Sequence, residues 1–93
     1  MSKAVPTLQI DNERTRVTRW DFAPGAATGE HVHEYDYCIV PLMDGAVRVV
    51  NHDGSEGEAV MKQGESYFRP KGVHHDVINA SDMDFAFVEI EYK

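Results

Sequence analysis

Turn-forming clusters cut this chain into short extended runs, and that punctuation constrains its fold more than any other feature. Ala23-Pro24-Gly25, Asp44-Gly45, Asn51-His52-Asp53-Gly54, Gln63-Gly64 and Pro70-Lys71-Gly72 recur along the chain at intervals of roughly ten residues. Between them, apolar and β-branched residues come in short runs with little 3.6-residue periodicity. Strands are expected at Arg14–Phe22, Asp36–Met43, Ala46–Val50, Glu58–Lys62, Ser66–Arg69, His75–Ile78 and Asp84–Tyr92. Val5–Ile10 offers a further strand, which Pro6 confines to an edge, or an arm lying on another subunit. About eight strands at this spacing indicate an all-β sandwich or barrel. No helix is expected.

Composition narrows the function. The 93 residues show no shift that would divide them, so residues 1–93 are expected to form one domain. Sixteen acidic residues against nine basic ones give a net charge of −7, which argues against a phosphate-binding surface for nucleic acid. The one basic cluster, Arg14, Arg16 and Arg19, is interleaved with Thr and Val and reads as an ordinary strand with solvated charges. No run approaches the roughly 20 apolar residues of a membrane span. The N-terminal stretch MSKAVPTLQI has no apolar core of a signal peptide, and Cys38 is the sole cysteine. Both features point to the reducing cytoplasm.

The chemistry lies in the histidines. His31 and His33 are two apart, so on a strand their imidazoles share a face. Imidazole suits Zn, Fe, Ni and Cu, but a pair alone equally describes surface histidines. His75 supplies a third, on another strand. His74, its neighbour, should face the opposite way, and His52 lies in a turn exposed to solvent.

Two stretches carry a family resemblance. Gly64, Pro70, Gly72, His75 and Asn79 match every fixed position of the second cupin motif, and Gly25, His31, His33 and Gly45 match the first. The chain thus resembles the cupin superfamily over motif one (25–45) and motif two (64–79). The run from Arg16 to Gly25, with His31 to Leu42, is similar to small bacterial single-domain cupins of the conserved-barrel type associated with β-alanine degradation. The resemblance implies a double-stranded β-helix, a jelly-roll-like barrel, holding a divalent metal on His31, His33 and His75. Fe(II) is favoured, and Mn, Ni, Zn or Cu would also fit. It further implies a homodimer and a small-molecule ligand or substrate. Gly25, Gly45, Gly64 and Gly72 then sit where tight connections call for positive φ, and Asn79 where its amide can bond a turn's backbone.

One motif position departs from the family. Counting back from Gly45, its glutamate ligand would fall on Cys38; counting forward from His33, it falls on Tyr37. An open three-histidine centre results, with Asp36 as a substitute carboxylate. Cys38 reads in three ways: a small buried filler, a thiolate ligand, or a partner of Tyr92. The last resembles the cysteine–tyrosine pair of some thiol dioxygenases, which are three-histidine iron cupins, and makes Cys38 and Tyr92 candidate catalytic residues. Arg16, Arg19 and Arg69 are candidates for holding a substrate carboxylate, and Trp20 and Phe22 read as core or dimer packing. The functional expectations are a dioxygenase-like metalloenzyme for a small organic acid or thiol, a non-redox isomerase or lyase, or a metabolite-binding sensor.

Overall fold

Turn chemistry and alternation resolve into nine strands in the computed structural model, which describes residues 2–93: β1 (Val5–Asp11), β2 (Thr15–Phe22), β3 (His31–Val32), β4 (Asp36–Pro41), β5 (Gly45–Asn51), β6 (Glu56–Met61), β7 (Tyr67–Arg69), β8 (His74–Asn79) and β9 (Phe85–Tyr92). No helix occurs among the described residues. A five-stranded sheet in the order β1-β2-β9-β4-β7 faces a four-stranded sheet in the order β3-β8-β5-β6, and all strand pairs are antiparallel. This is the expected double-stranded β-helix. The segment at Val5–Ile10 is the expected edge strand and pairs with β2 of its own chain, with Pro6 opposite Trp20.

Register decides what faces inward. On β2 the inward set is Arg16, Thr18, Trp20 and Phe22, and on β9 it is Phe85, Phe87, Glu89 and Glu91, with Phe22 opposite Phe85 and Arg16 opposite Glu91. Each strand therefore runs from an apolar floor to a polar mouth. At the floor, Phe22 packs on Phe85 and Phe87 with ring centroids 6.2 and 5.3 Å away, joined by Val47, Met61 and Ala26. Burying each such ring contributes roughly 1.5–3 kcal/mol. The packed floor anchors the strands whose other ends carry the site.

Gly25, Gly64 and Gly72 do have positive φ, but Gly45 does not. A Cβ on Gly45 would stand 2.5 Å from Cδ1 of the buried Phe85 ring, so glycine is needed there for space. Gly45→Ala is expected to destabilise by about 1–3 kcal/mol through overpacking. Urea unfolding measures this, and a loss below about 0.5 kcal/mol would contradict the close approach.

Candidate metal centre

Pairing of β3 with β8 sets His31 opposite His75. His33 follows β3 and is held by its own backbone, its N–H donating to Val73 O (2.9 Å) and its carbonyl accepting from Gly72 N (2.8 Å). The positive φ of Gly72 lets the loop double back for that second bond. The three rings meet edge to face, and Nε2 of His33 lies 3.0 Å from Nε2 of His31 and 3.1 Å from Nε2 of His75. His33 and His75 are buried and His31 is half-buried.

Three imidazole nitrogens this close fit a metal ion. Metal–nitrogen bonds of about 2.0–2.1 Å at right angles place neighbouring donors about 3 Å apart. Nδ1 of His31 lies 2.7 Å from the Gly29 carbonyl, which can only accept, so Nδ1 carries the proton and Nε2 presents a lone pair. Nδ1 of His33 lies 3.7 Å from a Glu89 carboxylate oxygen. Nδ1 of His75 is buried with no partner among the described residues, which leaves its tautomer to whatever Nε2 meets. Burial, helped by the neighbouring imidazoles and Arg69, pushes His33 down to about 4 and His75 to about 3, so both are neutral ligands at neutral pH.

The centre opens onto a cavity of about 790 Å³. Tyr37 stacks on His33 with centroids 3.8 Å apart, and burial raises its hydroxyl pKa well above the ordinary value. Burial likewise pushes Tyr67 up to about 12. Glu89 is pushed up to about 7 by burial and by Glu91, against the opposing pull of the Trp20 indole N–H, which donates to it at 3.4 Å, and of Arg16. Arg16 holds Glu91 by two bonds of 2.9 and 2.8 Å. Arg69 lines the cavity with no carboxylate partner among the described residues.

Several sequence candidates lie elsewhere. On β4, Tyr37, Ile39 and Pro41 line the cavity, so Asp36, Cys38 and Val40 face the outside. Asp36 accepts a hydrogen bond from Lys71 N at 2.8 Å, and the structure does not bring it to the histidines. Cys38 and Tyr92 share the outer face of the sheet, where the thiol raises the tyrosine's pKa. Neither residue borders the cavity. The physical reason is the one-residue count: β4 pairs with β9 so that Tyr37, opposite Glu91, occupies the inward position. Arg19 is also outside, paired with Asp21. Of the two positions on which the motif's glutamate could fall, Tyr37 is the one inside the barrel; Tyr67, Glu89 and Glu91 join it in the cavity without a sequence signal of their own.

Similarity to known proteins follows this geometry. The family model described as a cupin domain matches residues 18–91. The chain belongs to the cupin family. This cupin is 50% identical over 91 residues to the β-alanine degradation protein BauB of Pseudomonas aeruginosa, covering 98% of this chain and 95% of that one. A cupin domain from Bordetella pertussis superposes with a TM-score of 0.95 at 49% identity, covering 99% and 95% of the two chains. TT1209 from Thermus thermophilus gives 0.74 at 28% identity, covering 97% and 84%.

The buried ionisable groups of this cupin make a pH prediction. His33 and His75 have folded pKa values below the 6.5 of a free imidazole, so their contribution to stability is complete above pH 6.5 and is lost as pH falls toward 4 and 3. Glu89 has a folded value near 7 against 4.5, so its contribution is complete below 4.5 and is lost as pH rises through 7. Two histidines outweigh one carboxyl between these limits. Chelator-treated protein is expected to lose roughly 1 kcal/mol of stability on going from pH 6 to pH 5. Urea titrations at the two pH values check it, and equal or greater stability at pH 5 would contradict it.

Proposed function

We propose that this cupin is a metal-dependent enzyme acting on a small organic acid, with His31, His33 and His75 holding a divalent first-row ion, Fe(II) by preference. The observation that carries this reading is the convergence of three Nε2 atoms, that of His33 lying 3.0 Å from His31 and 3.1 Å from His75, at the wall of a cavity that also holds Arg69, which has no carboxylate partner among the described residues. When bound, the ion supplies Lewis acidity and, if it is iron, redox chemistry toward dioxygen. Arg69 is suited to a substrate carboxylate, which its planar guanidinium grips with two parallel bonds. The apolar floor excludes water beneath it. Similarity to BauB supports a place in the breakdown of β-alanine or of acids derived from it.

The test is oxygen uptake by Fe(II)-loaded protein offered thiols, diketones and β-amino acids. Consumption coupled to one substrate supports the proposal, and no turnover in protein of confirmed metal content counts against it. Cys38→Ser is expected to leave metal content unchanged, as is Tyr92→Phe, because both side chains lie outside the barrel. Metal loss in either would contradict that placement.

One observation favours a second, non-redox reading. Glu89 titrates near 7 at the cavity wall, where a carboxyl can both take and return a proton in isomerase or lyase chemistry. Turnover that survives without oxygen and with zinc in place of iron selects that reading.

We further place the chain in the cytoplasm, as a homodimer. Support for the dimer comes from an outward apolar row crossing all five strands of the larger sheet: Ile10, Val17, Ile90, Cys38 and Phe68, each opposite the next. Ile10 and Phe68 are exposed, at 49% and 57%. A second copy would cover the row and the sheet. Light scattering showing a monomer at micromolar concentration would overturn it.

A further inference from the structure

A second group of ligating side chains stands on the other side of the β3–β8 pair. Glu30 immediately precedes β3, His52 sits in the β5–β6 turn, and His74 opens β8. Alternation turns His74 away from His75, so this group is separated from the three-histidine centre by the strands themselves. We propose that Glu30, His52 and His74 form a second, exterior site for a divalent transition-metal ion of the zinc, copper or nickel class.

The arrangement is built by the fold. Backbone N–H of His52 donates to the His74 carbonyl at 3.0 Å, tying the turn to β8. Within the turn, Asn51 N donates to Ser55 O (2.8 Å), Gly54 N to Asn51 O (2.9 Å), and Ser55 N to an Asp53 carboxylate oxygen (2.9 Å). These bonds fix the position of His52, whose ring stacks on His74 with centroids 3.9 Å apart and planes 10° from parallel. Nδ1 of His52 hydrogen-bonds a Glu30 oxygen at 3.0 Å, and Nε2 of His74 lies 3.4 Å from the same oxygen. The three ligand atoms lie within 4.8 Å of one another.

The donor set selects the ion. Two imidazoles and one carboxylate suit zinc, copper or nickel, whereas calcium takes six to eight oxygens and magnesium keeps most of its waters. The Glu30 and His52 side chains are 57% and 66% exposed, so an ion can enter directly and retain water in its remaining positions. Exposure also makes the site weaker than the enclosed one, where three rings are held before the ion arrives. An ion here would tie the β5–β6 hairpin to the strands that carry His31 and His75.

Zinc chloride titrated into chelator-stripped full-length protein, followed by calorimetry, tests the proposal, with circular dichroism confirming the fold of each variant. The wild type is expected to show a binding event that His52→Ala removes or weakens at least tenfold, and that Glu30→Gln weakens while the fold is retained. His75→Ala is expected to keep that event and to lose the other, so the two sites fail separately. A zinc isotherm unchanged in both His52→Ala and Glu30→Gln would overturn the exterior site, whatever happens at the three-histidine centre.

Discussion

His75→Ala is expected to abolish stoichiometric retention of metal at the barrel centre, with affinity falling by more than the roughly 100-fold that follows loss of an outer-shell partner. The reason is the small size of the donor set. Three histidines converge, and the position that would carry a fourth ligand is Tyr37, whose neutral hydroxyl stays protonated because burial raises its pKa. Removing one of three donors leaves two from the β3 segment, and the β4 carboxylate, Asp36, faces outside the barrel and does not compensate. Metal analysis after gel filtration measures the effect. Retention of the wild-type metal ratio by a folded His75→Ala protein would contradict the assignment.

Asn79→Ala is expected to have the largest effect on stability. The Asn79 side chain is 2% exposed and ends β8 at the barrel floor. Its Nδ2 donates to Met83 O at 2.8 Å and reaches Phe22 O and Ala23 O at 3.3 Å, while its Oδ1 accepts from Ser81 N at 3.0 Å and Ser81 Oγ at 2.9 Å. One amide thus ties the end of β2 to the turn before β9. Alanine removes all five of these bonds, each worth about 0.5–1.5 kcal/mol net, and takes from the Ser81 N–H its acceptor, although Ala23 O and Met83 O keep bonds from Ala26 N and Ser81 Oγ. A total of about 3–5 kcal/mol follows, a large fraction of the 5–15 kcal/mol typical of a domain, and would lower Tm by roughly 15 °C or more. Thermal unfolding measures it. A drop of less than about 4 °C would show that the network is dispensable.

Much of this was legible in the sequence because turn residues and period-two alternation act locally. The strands at Arg14–Phe22 and Asp84–Tyr92 appear within a residue of their observed bounds. The meeting of His31 and His33 with His75, which lies 42 residues beyond His33, was implied by the resemblance of the two motifs to the cupins and not by any local signal. What could not be counted was which face of a strand lies inside. On β9, Val88, Ile90 and Tyr92 look like the core side, yet they face outward, and Glu89 and Glu91 point into the barrel. Phe85 and Phe87 are in phase with the two glutamates, and following the aromatic phase would have found both. On β4 the same one-residue ambiguity separated Tyr37 from Cys38, and only cross-strand pairing resolves it. The approach of Gly45 to Phe85 depends on a residue far along the chain and leaves no local trace.

The three converging Nε2 atoms are placed to hold a metal ion. Anomalous diffraction at the metal's absorption edge, from crystals of protein purified without chelator, tests it most directly. A peak about 2.0–2.2 Å from Nε2 of His31, His33 and His75, and away from Cys38, is the predicted result. Metal-replete crystals with no peak at that point, or with the ion on the Cys38 sulfur, would contradict it.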